Sequence, residues 1–295
     1  KHMDEIAKNF AALNGLVDPE TTLLTRDELK SEIGSPAFHG AMLQPKSSMM
    51  HMGRFVAGLA QATARYGADI FEAAPVTACT PDTKGHRLTT PSGTITARKV
   101  LLATGAYTTP NFGWFRRRII PVGSFIVATR VLTEEEVSKT LPGDRTCVTS
   151  MNVGNYFRLS PDRRLIFGGR ARFSARSDQE SDAKSGKVLQ AAMTKIFPHL
   201  AEIEIDYCWG GMVDMTKDRY PRAGQVNGIY YAMGYSGHGA QLATHLGEIM
   251  ADQMRGEKRE NPWTALPWDA VAGHFGKPWF LPFVGAYYKM LDKFR

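Results

Sequence analysis

Cysteine is scarce in this chain. Cys79, Cys147 and Cys208 stand far apart among 295 residues, odd in number, with no CxxC pair and no metal-type spacing to the eight histidines. That excludes a disulfide scaffold and a Cys/His metal module, and it points to reduced thiols in a cytoplasmic-type compartment. No uninterrupted apolar stretch approaches the roughly 20 residues that span a bilayer. The opening KHMDEIAKNF reads as an amphipathic helix rather than a signal peptide. Long charge runs are missing too. Net charge is +7, yet the densest basic clusters, Arg116-Arg117-Arg118 and Arg163-Arg164, are short. They read first as solvated faces, with a role toward an acidic partner, membrane surface or anionic cofactor as the alternative, and no nucleic-acid motif accompanies them. Repeats and low-complexity tracts are absent, so solenoid and disordered classes fall away.

What remains is a globular composition. With 43% hydrophobic and 22% charged residues, the chain is long enough for about two domains and a sizeable core. Residues 4 to 13 have helical spacing, and Thr25 with Glu28 forms a capping box ahead of a short helix ending near Gly34. A loop with Pro36, Pro45 and serines follows. RFVAGLAQATARY (54–66) predicts a helix stopped by Gly67, after which ADIFEAAPVTAC, HRLTTPSGTITA and KVLLATG predict successive strands. KVLLA lacks alternation, as expected of a strand buried on both faces.

From residue 112 the pattern changes. PVGSFIVATRV, NYFRLSPDRRLIFGG and EIEIDYCW alternate like antiparallel strands, the second turning at Ser160-Pro161-Asp162. A capping box at Thr133 and Glu136 and a helix around 184–197, ended by Pro198, lie between them. The tail WFLPFVGAYY is short and interrupted by Pro282 and Gly285, which suits packing on the body rather than entry into lipid.

GYSGHGAQLATHLGEIMADQM (234–254) is the most informative stretch. Leu242, Ala243, Leu246, Ile249 and Met250 make one helical stripe from about Gly239 to a stop at Gly256, and the β-rich IYYAM (229–233) precedes it. Strand, glycine turn and helix together bring free N–H groups and the positive end of a helix dipole up to a ligand. A tight structural turn would leave the same signature. GYSGH also suggests a nucleophile elbow, but that needs a glycine where His238 stands, so a serine hydrolase is the weakest of the readings.

The ordered set KVLLATGAYT (99–108), YFRLSPDRRLIFGG (156–169), WGGMVDMTKDRYPRAG (209–224) and IYYAMGYSGHGAQLATHLGEIMADQM (229–254) resembles the FAD-dependent oxidoreductases of the D-amino-acid oxidase superfamily. HGAML near residue 39, FPHL at 197 and LPFVGAYYKMLDK in the tail are most similar to the gamma-glutamylputrescine oxidase type. The resemblance implies a mixed α+β and α/β fold: an incomplete Rossmann-like FAD domain plus a mostly antiparallel β substrate domain with helices. Residues 1–50 then form N-terminal helices and a loop belonging to the substrate domain or a linker, 51–111 and 223–258 the two parts of the FAD domain, 112–222 the substrate domain, and 259–295 a packed tail. The implied chemistry is oxidation of the C–N bond of an amine or amino acid.

The same likeness implies site residues. Gly234, Ser236, Gly237, His238, Gly239 and Ala240 match the turn against the flavin ring. Thr104, Gly105 and Ala106 match a turn near the phosphate or ribitol, and Val76 a backbone contact to adenine. Tyr156 matches an aromatic on the substrate side, with Arg158 beside it; Arg170 and Arg172 are candidates for a substrate carboxylate. His238 is a candidate base or turn-adjusting group, and His51 a helix cap or a residue facing the flavin.

Three departures bound the transfer. The GxGxxG and acidic residue that hold pyrophosphate and ribose in the family have no counterpart here. This implies a preceding segment or a second chain that completes the site. Where sarcosine-type relatives attach FAD to a cysteine, alignment on Thr216-Lys217-Asp218 puts Gly211, with Cys208 three residues short, so noncovalent FAD is expected. Phe167 stands where those relatives carry an oxygen-assisting lysine, which leaves oxygen or another carrier as electron acceptor. The expected partner is a small-molecule amine, with no nucleic acid.

Overall fold

The computed structural model describes residues 2–169, 179–276 and 278–294. They form two compact units, one drawn from residues 1–49, 123–211 and 280–295, the other from 50–122 and 212–279. Helices accompany mostly antiparallel sheets, as the sequence pattern predicts.

The first unit opens with α1 (His2–Leu16) and a small antiparallel pair, β1 (Thr22–Thr25) with β2 (Gly40–Leu43). Between those strands sits the one-turn α2 (Arg26–Leu29), held by the expected capping box: Thr25 accepts from the Glu28 N–H and Glu28 accepts from the Thr25 N–H. β2 falls inside the segment read as a loop, because its four residues carry too little pattern to register alone.

The short second-unit strands β3 (Ala78–Asp82), β4 (Gly85–Thr90) and β5 (Gly93–Ala97) form an antiparallel meander. α3 (Met52–Arg65) precedes it, capped by His51, whose Nδ1 accepts from the Arg54 N–H at 3.3 Å. The strand expected over 68–79 begins only at Ala78. Ala73 is in the left-handed region (φ 51°) and Pro75 has no N–H to donate, so residues 68–77 run as irregular chain. β6 (Val100–Leu102), expected to be buried on both faces, is the edge of a three-stranded sheet, and Leu101 is exposed on its uncovered side.

After the one-turn α4 (Gly113–Arg116), β7 (Ile120–Val131) enters a five-stranded sheet of order β11-β7-β10-β9-β8. Its members are β8 (Cys147–Val148), β9 (Asn155–Leu159), β10 (Arg164–Gly169) and β11 (Ile205–Met215). The hairpin β9–β10 turns where Ser160-Pro161-Asp162 predicts: Arg163, at φ 63°, donates to the Ser160 carbonyl at 2.8 Å, and Arg164 N–H donates to Ser160 Oγ at 2.9 Å. α5 (Glu134–Thr140) carries the second capping box, Thr133 with Glu136. α6 (Gln179–Ile196) ends before Pro198.

Phe125, Phe157, Phe167 and Phe197 are fully buried in one cluster with Leu141, Leu165, Leu189 and Met193. Phe157 stacks on Phe167 with centroids 5.7 Å apart and meets Phe197 edge-on at 5.2 Å. Burying each such side chain stabilises by about 1.5–3 kcal/mol relative to exposure.

In the second unit, β12 (Arg222–Val226) pairs antiparallel with β13 (Ile229–Met233), and β13 pairs parallel with β6. α7 (Gly239–Arg255) lays Leu246, Ile249 and Met250 of the expected stripe against Ala223 and Ala232, while Leu242 is only partly buried and Ala243 is exposed, and stops at Gly256 in the left-handed conformation (φ 90°). The tail forms α8 (Leu281–Phe294) rather than a broken segment. Pro282 falls in the first turn, where its missing N–H costs nothing. Among the described residues no helix is long and apolar enough to cross a membrane.

Candidate cofactor site

β6 and β13 run parallel with Val100 opposite Ile229 and Leu102 opposite Tyr231. Parallel pairing places both carboxyl ends on one side, so the turns that follow, Thr104-Gly105-Ala106 and Gly234 to Ala240, become neighbours. The carboxyl ends of parallel strands are where open α/β sheets bind ligands.

The Gly234 turn is held from beneath. Gly234 adopts φ 78°, and a Cβ there would lie 2.5 Å from Thr216 Cγ2, so no side chain fits. Ser236 is buried in a left-handed conformation at φ 54°. Thr216 N–H donates to its Oγ at 3.1 Å, and its own N–H donates to the Asp214 carbonyl at 3.0 Å. Gly234 N–H donates to Asp214 Oδ2 at 2.6 Å. Beyond these anchors the turn opens. Gly237, at φ 97°, has no atom within 4 Å of where a Cβ would stand, and no side chain caps α7. The N–H groups of Gly239, Ala240 and Gln241 therefore face outward with the dipole of a 17-residue helix behind them. His238 sits exposed at the cap position, its backbone N–H donating to the Tyr235 carbonyl at 2.9 Å while its ring caps nothing.

The facing turn is tied by threonines. Thr104 Oγ1 and Thr108 Oγ1 share a hydrogen bond of 2.8 Å, Thr108 Oγ1 donates to the Gly105 carbonyl at 2.7 Å, and Gly105 has φ 50°. Arg116 Nη1 donates to the Thr108 carbonyl at 2.6 Å and Nε to that of Gly276 at 2.9 Å. Gly105, Thr108, Arg116 and Gly276 line a small open depression with Ala106, Ile119 and Pro121. Val76 lies in the irregular segment before β3 and packs against the Phe112, Phe115 and Met233 cluster.

Asp214 escapes a reading of the sequence alone. Its one signal is a lone acid inside the apolar strand GGMVDM. Burial pushes its carboxyl above the ordinary 3.8, against the pull of backbone N–H donors led by Gly234. Burial, and then the Asp214 charge, pushes the Tyr235 hydroxyl up to about 12.

Tyr156 and Arg158 belong to the other unit. Both stand on the face of β9 opposite the buried Phe157. The Tyr156 hydroxyl and Ser124 Oγ share a hydrogen bond of 2.7 Å, and its ring covers Gly168 on β10, where any side chain would collide with it. Arg158 Nη1 donates to the Leu159 carbonyl at 2.9 Å. Phe167 lies in the closed phenylalanine core. Arg170 and Arg172 lie outside the described residues.

Comparison with known proteins decides the class. A sequence profile described as FAD dependent oxidoreductase (DAO) matches residues 1–253. The chain belongs to this family. Among DAO relatives, a probable oxidoreductase OrdL from Haemophilus influenzae is 31% identical over 99% of this chain and 66% of its own length. The gamma-glutamylputrescine oxidoreductase of Escherichia coli is 30% identical over 92% of this chain and 63% of its own. The chain thus spans at most about two thirds of these curated relatives. In fold it is similar to the crystal structure of glycine oxidase from Geobacillus kaustophilus, with a TM-score of 0.76, 22% identity and coverage of 92% of this chain and 71% of that one.

The residues present fit the flavin that DAO membership implies. An open glycine at 237 and an uncapped helix start leave backbone donors accessible to a flat, electron-rich ring.

Proposed function

We propose that this chain works, alone or within a larger assembly, as a noncovalent FAD oxidoreductase that oxidises the C–N bond of an amine or amino acid. The observation that carries the reading is the pair of glycine turns at the carboxyl ends of β6 and β13, one of them opening an uncapped helix. Bound flavin supplies the acceptor for the hydride that leaves the carbon next to nitrogen, after which water hydrolyses the imine. The protein's share is to orient the amine, keep it neutral and exclude water. Gly234, Ser236, Gly237, His238, Gly239 and Ala240 serve the ring, Thr104, Gly105 and Ala106 the phosphate or ribitol, and Val76 the adenine. Tyr156 and Arg158 serve the substrate.

A gamma-glutamylated polyamine is the first substrate to test, from the name of the Escherichia coli relative. Noncovalent attachment is supported by Gly211 at the position where sarcosine-type relatives carry cysteine. The absence of GxGxxG from the sequence and an α3 without a single buried residue favour a second reading. There, this chain is a subunit or segment whose nucleotide site another polypeptide or a longer chain completes.

The visible spectrum of the purified chain before and after FAD, followed through gel filtration, tests both. Retained flavin bands that bleach anaerobically with one member of an amine panel support the oxidoreductase. Retained bands with no bleaching by any amine or amino acid overturn it. A colourless chain that gains flavin only with a GxGxxG-bearing partner supports the second reading.

A further inference from the structure

A buried carboxylate is costly to fold unless cations or hydrogen-bond donors compensate it. Asp214 lies near the end of β11, largely withdrawn from solvent, and what compensates its carboxylate is backbone: the Gly234 N–H donates to Oδ2 at 2.6 Å. That donor belongs to the glycine turn opening α7. On its other flank the carboxylate meets the second turn, since a Cβ on Gly105 would stand 3.0 Å from Asp214 Oδ2 and 3.4 Å from Cγ. One side chain therefore bonds one turn and lies beside the other at the candidate cofactor site. Tyr107, in the same Gly105 turn, adds a tie to this strand by accepting from the Met212 N–H at 3.1 Å.

We propose that Asp214 is a positioning residue that latches the Gly234 turn and the Gly105 turn into one rigid cradle for the flavin. The proposal rests on the FAD reading for its purpose, and on geometry alone for the latch. A carboxylate suits the task because its two oxygens accept several N–H groups at once, whereas the Thr216 and Ser236 hydroxyls engage only the Gly234 side: Ser236 Oγ donates to the Gly234 carbonyl at 3.3 Å. The glycine at 105 follows from the same contact, since the latch oxygen occupies the space that a larger residue's Cβ would need.

The backbone supplies an internal control. Gly234 N–H bonds the Asp214 side chain, but Ser236 N–H bonds the Asp214 main-chain carbonyl. Amide hydrogen exchange in Asp214→Ala should accelerate at Gly234 by about tenfold or more while Ser236 stays protected. Asp214→Asn, which keeps one acceptor oxygen, should restore Gly234. With the FAD-loaded protein, in whatever assembly retains flavin, Asp214→Ala should weaken FAD binding by about tenfold and shift the visible flavin bands, with Asp214→Asn recovering most of both. Unchanged Gly234 exchange in Asp214→Ala overturns the latch, and so does joint loss of protection at Gly234 and Ser236 in both variants, which marks general unfolding. Equal FAD affinity and spectra across the three proteins also overturn it. If no assembly of the wild type takes up FAD, the oxidoreductase reading fails, while the Gly234 result still decides the latch.

Discussion

The two units are stabilised differently. In the first, four fully buried phenylalanines and their aliphatic neighbours form one continuous core. In the second, burial is split between a small cluster around Phe112, Phe115 and Met233 and another under α7, and α3 buries nothing. There, hydrogen bonds, left-handed residues and glycines set the shape of the turns. A dense core tolerates surface change and resists volume change; a turn cradle answers to single backbone atoms. Stability and ligand binding should therefore respond to different substitutions.

The largest effect expected is on the first unit. Phe157→Ala removes a ring packed on Phe38, Phe167 and Phe197 and should cost about 3–5 kcal/mol, read as a lowered urea midpoint, with flavin affinity changed only through the unfolded fraction. Gly234→Ala comes next. Crowding against Thr216 adds about 1–3 kcal/mol to about 1–2 of left-handed strain. Gly237→Ala meets open space and bears only the strain term, so the difference between the two variants in calorimetric stability isolates the crowding. If they prove equal, the Gly234 turn is not packed from beneath and the contrast fails.

A smaller effect is pH-dependent. The Arg130 guanidinium beside Glu136, bonded at 2.7 and 2.9 Å, holds its carboxyl down to about 2 from the ordinary 4.5. Because the folded value is depressed, the stabilisation is complete above 4.5 and disappears as pH falls toward 2. Wild type should exceed Glu136→Gln by under about 1 kcal/mol at neutral pH, with the gap closing through that acid window in urea titrations. Smallest of all, Val56→Ser on the exposed face of α3 should fall within about 0.5 kcal/mol. A larger loss in the isolated chain would show that α3 is packed after all.

Much of this was legible in the sequence, for identifiable reasons. The α7 stripe, both capping boxes and the Ser160 hairpin are local signals, and local signals survive folding. Family resemblance added the Thr104-Gly105-Ala106 turn and the DAO assignment, since four motifs in order are hard to match by chance. What failed was context. Nothing in KVLLA says whether a strand will be central or an edge, so the exposure of Leu101 could not be read. Pro282 looks like a breaker until its place in a first turn is known. Asp214 stayed hidden because its meaning depends on Gly105 and Gly234, distant in sequence and joined only by the parallel pairing of β6 with β13.

The tail has one more consequence. Asp292 on α8 accepts from the N–H and side-chain amide of Asn152 at 2.9 and 2.8 Å and from the Val153 N–H at 2.8 Å. Near the other end, Ser35 Oγ donates to the Ile196 carbonyl at 2.5 Å. The first unit thus needs strands from the middle of the chain and a clasp from beyond the whole second unit. A nascent chain cannot finish this unit on the ribosome while the segment around residue 292 is still in the tunnel. The first unit therefore completes its fold only after the intervening segments of the second have been made.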